Sequence, residues 1–472
     1  MTNSGESPLF FRQYELGCLS LYSYMIADEA TGRAIVVDPQ RDIEQYLQDA
    51  ASRGLTIERI IETHFHADFV SGHLELAEAT GAVISYGPGA QAEFTIEPLA
   101  DGQRLSLGEV VLEVRATPGH TPESVSIVIW EHDTDDTPWG VLTGDTLFIG
   151  DVGRPDLLAS AGTSPEQLAR LLYQSLHDKL LSLPDTTRVF PAHGAGSACG
   201  RAMSSAPSST IGEQRRTNYA LAPMTEQAFI TAVTGDQPTA PAYFAYAAST
   251  NRQTHQLLDG QGTAPALSLE EAVSHQLKGA AVIDGRTPQS FASGHLRGSI
   301  NVSLDGRFAE YAGDVVDPEC PIILVTDPGR ESEARTRLAR IGFDRTVGYL
   351  PDIESVLVEH PEQAQLSKRL PAADLATWID NDPELQLVDV RNPSEHSQGA
   401  IPGAELVPLP VLRDRLGELD PRRPTVVFCA SGNRSSVAAS LLRAAGFSQV
   451  ADVLGGFDAW AAAGLPTTRQ TD

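Results

Sequence analysis

His64, His66 and Asp68 sit within five residues of one another, in a chain with only twelve histidines in 472 residues. Imidazole and carboxylate are the side chains with which proteins hold zinc, iron or manganese. The group follows 55–62, an apolar run that reads as a buried strand. Three later segments repeat the pattern. Residues 110–116 lead into Thr117-Pro118-Gly119-His120, 140–144 lead into Asp145, and 188–192 lead into His193. Four strand ends that each deliver a ligand type predict a metal site on the loops at one edge of a rigid sheet. A second chemistry stands far downstream. The apolar run 425–428 ends in Cys429, followed by Ala430-Ser431-Gly432-Asn433-Arg434 and a helical pattern through Leu442. A thiol at that junction faces the backbone N–H groups of a helix start, which favour a thiolate and a bound anion, and Arg434 adds positive charge.

The elements that must position these residues are legible around them. Residues 21–27 and 33–38 read as paired strands, and 42–53 as a helix closed by Gly54. The stretch 235–265 is broken by Gly235, Pro238 and Pro241 and is rich in Ala, Thr, Gln and Gly, so it is expected to be a partly ordered connector. Beyond it the chain repeats itself. Ile283-Asp284-Gly285-Arg286-Thr287-Pro288 matches Val388-Asp389-Val390-Arg391-Asn392-Pro393, and Gly294 to Gly298 matches Gly399 to Gly403. One residue is then lost, and 338–343 aligns with 442–447. Two tandem domains follow from that self-similarity. In the first copy Cys429 aligns with Val325, or with Asp327 if the loop is shortened. Neither can carry sulfur, so this copy is expected to be inactive, with Arg330 a remnant of anion binding.

Composition bounds the partners. The 62 acidic and 34 basic residues give a net charge of −28, which excludes nucleic acid as a partner and disfavours anionic membranes. No run reaches the roughly 18 apolar residues of a membrane span. Residues 1–7 read as no secretory leader. Four scattered cysteines form no disulfide framework, and a reducing cytoplasm is the expected compartment.

The order His-x-His-x-Asp, then His120, Asp145 and His193, resembles the metallo-β-lactamase superfamily, whose fold is an αββα sandwich; the likeness covers 8–220. Within it, the run from Gly144-Asp145-Thr146 to Arg154-Pro155-Asp156 looks like the persulfide dioxygenase branch of the ethylmalonic-encephalopathy type. The glyoxalase II thioesterases are the nearest competing branch. Dinuclear hydrolases of the superfamily carry a histidine where this chain has Phe69, which weakens a two-metal reading. The resemblance implies one Fe(II) per chain held by His64, His120 and Asp145, with His66, Asp68 and His193 supporting those ligands. It matches Arg154 to the arginine that meets an anionic thiol substrate. Cys199, in the glycine-rich loop after His193, is expected to lie close enough to carry or receive sulfur.

The Cys429 loop, with Asp389-Val390-Arg391 and Ile401-Pro402-Gly403-Ala404, resembles the active loop of rhodaneses, with Cys429 and Arg434 as its catalytic pair. The whole is similar to persulfide dioxygenase–sulfurtransferase fusions. The implied architecture is a metallo-β-lactamase domain plus connector at 1–258, an inactive rhodanese domain at 259–362 and an active one at 363–472, the latter two α/β with parallel sheets. The implied activity is oxidation of a glutathione, coenzyme A or other small thiol persulfide by dioxygen to sulfite, coupled to sulfur transfer among sulfite, thiosulfate and thiol. The competing expectation is a glyoxalase II-like thioester hydrolase with an attached sulfurtransferase. A homo-oligomer is expected.

Overall fold

All eight residues of the strand Leu21–Asp28 are buried, because it lies inside a sheet with a packed layer on either face. The structure, a computed structural model, describes residues 7–157, 163–235, 237–258 and 264–468. It divides into two compact units, Met1–Gln237 with Phe244–Asp259, and Pro238–Tyr243 with Gly260–Asp472.

In the first unit, strands Leu9–Leu16, Leu21–Asp28, Arg33–Val37, Thr56–Ile61, Val83–Tyr86 and Glu97–Pro98 form one sheet in that spatial order. Strands Ser209–Thr210, Arg188–Pro191, Gly140–Gly144, Val125–Trp130, Val111–Ala116 and Arg104–Ser106 form the other. Their inner faces share one core, in which Tyr24, Ile26, Ile35 and Ile61 meet Leu112, Val114, Ile127 and Leu142. Helix Glu44–Arg53 buries Tyr46 and Ala50 against the outer face of the first sheet, and Gly54 ends it in the left-handed region at φ 67°. Helices Pro165–Gln174 and Glu226–Thr234 pack Ala169, Leu172, Phe229 and Ile230 against the outer face of the second sheet. This is the αββα arrangement expected.

Strand direction gathers the ligands. Val111–Ala116 runs antiparallel to Val125–Trp130, which runs antiparallel to Gly140–Gly144, which runs parallel to Arg188–Pro191. His120, Asp145 and His193 therefore leave the sheet at the same edge. At that edge Gly144 adopts φ 49°, and a Cβ there would lie 2.9 Å from Thr63 of the facing sheet. Only glycine allows both the conformation and the approach.

The second unit holds two parallel sheets. One orders Ile300–Asn301, Ala281–Asp284, Ile322–Val325 and Thr346–Tyr349; the other orders Lys368–Leu370, Val450–Val453, Thr425–Phe428, Gln386–Asp389 and Glu405–Leu406. The repeat is physical as well as textual. Arg286 grips the Asp284 carboxylate and donates to the Gly294 carbonyl; Arg391 grips Asp389 and donates to the Gly399 carbonyl. Register corrects one expectation. Asp284 stands opposite Val325 as Asp389 stands opposite Phe428, so the partner of Cys429 is Thr326, not Val325 or Asp327. Two residues, not one, are lost before this strand, and loop deletions of that kind leave no trace in a spacing. Arg330 binds Asp305 and Glu333.

His295 couples this unit to pH. Its ring stacks on Phe291 at 3.7 Å and donates from Nδ1 to the Phe291 carbonyl. Burial, with the charges of Arg443, Arg286 and Arg297, pushes its pKa down to about 4. The folded state thus keeps the ring neutral where an unfolded chain takes a proton at about pH 6.5. The stability this contributes is complete above that pH and is lost as pH falls towards 4, by up to about 3 kcal/mol. Urea midpoints of the second unit's transition should fall across this window in the native chain and fall less steeply in His295→Gln.

Candidate functional site

The chain bends sharply after strand Thr56–Ile61, and the bend is fixed by Asp38 at the end of the neighbouring strand. Asp38, itself at φ 51°, accepts from the Thr63 backbone N–H at 2.7 Å and from the Thr63 hydroxyl at 2.9 Å. That hydroxyl faces Nδ1 of His64 at 3.0 Å. Since the Thr63 hydrogen points at the carboxylate, its oxygen accepts from His64, and Nε2 of His64 keeps its lone pair. Nδ1 of His120 donates to the Arg154 carbonyl at 2.8 Å, and Nδ1 of His193 to the Ser20 carbonyl at 3.2 Å. A carbonyl can only accept, so in both rings Nε2 is again the free nitrogen.

Those nitrogens converge on Asp145. Its Oδ2 lies 3.9 Å from His64 Nε2 and 3.4 Å from His120 Nε2, and its Oδ1 lies 3.4 Å from His193 Nε2. His64 Nε2, His193 Nε2 and both Asp145 oxygens are buried without a hydrogen-bond partner. Burial and the nearby rings of His66, His120 and His193 hold the His64 pKa well below its ordinary value, so the ring is neutral. Ring nitrogens turned towards one carboxylate in a dry pocket fit a cation. His64, His120 and Asp145 form a group whose ligand atoms lie within 4.8 Å of one another; His66, Asp68 and His193 form a second such group.

His66 differs from its neighbour two residues away. Its Nε2 points to Asp38 at 3.1 Å and Glu62 at 3.5 Å, and its Nδ1 to Asp68 at 3.9 Å. Burial opposes charge on this ring, but Asp38 and Glu62 outweigh it and raise the pKa well above normal. A protonated ring has no lone pair to give a metal. Phe69 packs on the His66 ring at 4.5 Å. His66 thus carries positive charge behind the group of His64, His120 and Asp145.

Cys199 reaches the site. Its sulfur lies within 4.8 Å of ligand atoms of Asp145 and His193, and burial with the charges of Asp68 and Asp145 pushes the thiol pKa well up. The Arg154 guanidinium forks onto Asp156 at 3.0 and 2.6 Å and donates to the Ala198 carbonyl, bracing the loop that carries Cys199.

One positioning residue lies in the segment expected to be connector. Helix Phe244–Thr250 delivers Asn251, fully buried, whose amide donates to the His66 and Phe69 carbonyls and accepts from the Ser71 N–H, each at 2.8 Å. Asn251 saturates the turn that holds the ligands. Nothing in its local sequence signals this, because its partners lie 180 residues earlier or more.

In the second unit Cys429 ends the central strand Thr425–Phe428 and is buried. The Gly432 N–H donates to its sulfur at 3.1 Å, with Gly432 at φ 105° turning the loop into helix Asn433–Ala444. Arg434 forks onto Glu395 at 2.8 and 2.7 Å. The Ser435 hydroxyl lies 3.6 Å from the same sulfur, and Arg434 is braced from helix Pro393–Gln398.

The model of the metallo-beta-lactamase superfamily matches residues 16–193. The bovine persulfide dioxygenase ETHE1, mitochondrial (Bos taurus), is 34% identical over 196 residues, 41% of this chain and 70% of its own. The chain belongs to the metallo-β-lactamase superfamily. The human counterpart (Homo sapiens) is 33% identical over 193 residues, covering 40% of this chain and 69% of its own. The model of the rhodanese-like domain matches twice, at 268–352 and 371–463, so the superfamily unit is fused to tandem rhodanese-like domains. A metallo-beta-lactamase of Staphylococcus aureus superposes with a TM-score of 0.66 at 32% identity, over 72% of this chain and 98% of that one. Among the described residues no helix is long and apolar enough to cross a membrane.

If Asn251 holds the ligand turn, Asn251→Ala should weaken metal binding by about 10–100-fold, the usual cost of losing an outer partner. Metal content after dialysis against graded chelator checks this.

Proposed function

We propose that the first unit is an iron-dependent persulfide dioxygenase and that Cys429 is the nucleophile of a sulfurtransferase acting on its products. The observation that carries the first half is the set of three rings whose Nδ1 atoms are pinned and whose Nε2 atoms face the Asp145 carboxylate. His64, His120 and Asp145 would hold a single Fe(II), a two-histidine, one-carboxylate face with open positions. Iron there supplies binding and electronic activation for dioxygen and for the outer sulfur of a small thiol persulfide. The net reaction takes persulfide, dioxygen and water to thiol, sulfite and protons.

The chain's own residues do the rest. Asp38, through Thr63, fixes the His64 ring, and Asn251 fixes the turn beside it. The charged His66 places positive charge behind the ligands. Cys199 stands beside Asp145 and His193 where the substrate sulfur would sit. Arg154 and Asp156 present a charged pair at the loop over the site, and the arginine would meet the carrier's anionic group by exchanging its carboxylate partner.

At the second site the Cys429 thiolate, held by the Gly432 N–H, would attack the outer sulfur of thiosulfate. The sulfur–sulfur bond breaks, sulfite leaves with the electron pair, and Cys429 becomes a persulfide. The same steps run in reverse with sulfite as acceptor. Glutathione and coenzyme A persulfides are the candidate substrates, and four free cysteines suit a reducing cytoplasm.

The His66, Asp68 and His193 group favours a second reading, a two-metal thioester hydrolase. Iron-loaded protein should take up dioxygen in proportion to added glutathione or coenzyme A persulfide, with one iron per chain. Two metals per chain and thioester hydrolysis without oxygen uptake would overturn the dioxygenase reading. His64→Ala should reduce oxygen uptake by more than the roughly 100-fold upper cost of losing an outer partner. Cys429→Ser should lose thiosulfate-to-thiol transfer altogether.

A further inference from the structure

Arg434 lies between two residues that touch the Cys429 sulfur, Gly432 through its N–H at 3.1 Å and Ser435 through its hydroxyl at 3.6 Å. The residues between Cys429 and Arg434 are Ala430, Ser431, Gly432 and Asn433, none of them charged. The other arginines that flank this loop in its own repeat are committed. Arg391, over the Phe428 ring, is forked onto Asp389 and donates to the Gly399 carbonyl. Arg369, whose Nη2 would lie 3.6 Å from a Cβ at Gly432, binds Asp452 at 3.1 Å. Positive charge for an anion at the sulfur therefore falls to Arg434.

That charge is already matched. Nη1 of Arg434 donates to Glu395 Oε2 at 2.8 Å and Nη2 to Oε1 at 2.7 Å, the two-pronged grip of a guanidinium on a carboxylate. Burial opposes charge on Glu395, but Arg434 outweighs it and lowers the carboxyl pKa, so the acid stays ionised. Helix capping does not account for the acid. Glu395 does accept from the Asn392 N–H at 2.9 Å, as the third residue of a capping box. A glutamine caps in the same way, and the matching helix of the first repeat, Pro288–Ser293, carries Ser290 at this position and is capped by Thr287. Of its partners, only the arginine needs the carboxylate's charge.

Sulfur donors differ in where they carry their charge. Thiosulfate holds an anionic sulfonate-type group one bond from the sulfur under attack, so that group has to sit beside Arg434 during transfer. The persulfide of a small organic thiol holds its carboxylates many bonds away. An arginine paired with Glu395 handicaps the first donor far more than the second.

We propose that Glu395 determines the donor specificity of the Cys429 site: by engaging Arg434 it weakens the use of thiosulfate and makes the persulfide of a small organic thiol the favoured donor. This rests on the reading of Cys429 as the sulfur-transfer nucleophile. The Cys429 thiolate attacks the outer sulfur of the donor, which keeps its proton, and a new sulfur–sulfur bond forms. The bond to the carrier breaks, and the carrier leaves as a thiolate with the electron pair. Sulfite as acceptor meets the same handicap as thiosulfate, because the two directions share one transition state.

The test uses the full chain without oxygen, which silences oxidation at the first site, and offers it thiosulfate or glutathione persulfide. The readout is the second-order rate constant with which each donor converts Cys429 to its persulfide, followed by peptide mass spectrometry of quenched samples. In the native chain glutathione persulfide should load Cys429 at least roughly tenfold faster than thiosulfate, the worth of one charge-assisted contact. Equal or reversed rates overturn the proposal without any variant. In Glu395→Gln, which keeps the size and the cap, the ratio of the thiosulfate rate to the persulfide rate should rise roughly tenfold. In Glu395→Gln with Arg434→Gln that gain should vanish. An unchanged or lower ratio in the single variant overturns the proposal, and so does a gain that survives the loss of Arg434. A native chain that neither donor loads at Cys429 would sink the transferase reading instead.

Discussion

The first unit is arranged around a buried electrostatic debt. Three imidazole nitrogens and a carboxylate face one another at 3.4–3.9 Å, all on buried side chains. Unsatisfied buried polar groups cost on the order of 1–3 kcal/mol each, and more when charged. Such an arrangement persists where the surrounding protein over-determines it and a cation completes it. The surrounding determinants can be named: the Asp38–Thr63–His64 chain, the carbonyls of Arg154 and Ser20, the glycine at 144 that lets the two sheets close, and Asn251 across the ligand turn.

Much of this was legible in the sequence, for a reason tied to strand geometry. His64, His120, Asp145 and His193 each follow a short apolar run, and a run that ends in a ligand places that ligand at a sheet edge whatever the rest of the fold does. The supporting residues were not legible in the same way. Asp38 follows a strand like any other aspartate at a turn, and its role depends on Thr63 lying just past the end of the neighbouring parallel strand. Asn251 sits in an Ala- and Thr-rich stretch whose helix is short, and its three bonds are all to residues far earlier in the chain. Local patterns carry local structure; a long-range bond leaves no spacing to read.

The tandem repeat shows what such a pattern retains and what it loses. The Asp–Arg fork and its glycine carbonyl survive in both copies, because an unpaired buried charge would be costly in either. Loop length is under no such constraint, so the position opposite Cys429 drifted to Thr326 and the arginine that follows took other partners. Although Thr326 stands where the second copy has Cys429, the first copy keeps a face against the second. Asn301 is buried at that face and bonded to both Ser436 and Ser440, on the helix that begins at the Cys429 loop.

His64 and His66 make the same argument at the scale of two residues. Both are buried, and burial alone would leave both rings neutral. His64 is bonded to a hydroxyl and surrounded by other rings, so it stays neutral and its free nitrogen can bind a metal. His66 faces two buried carboxylates, so it takes a proton and neutralises them instead. Without that proton, Asp38 and Glu62 would be charges of like sign packed side by side, and Asp38 would be a poorer anchor for Thr63. The second histidine of the motif thus serves the first by way of the carboxylate they share. Residue type alone does not tell these two rings apart; the carboxylates behind the strand hold His66, while Nε2 of His64 is turned towards Asp145.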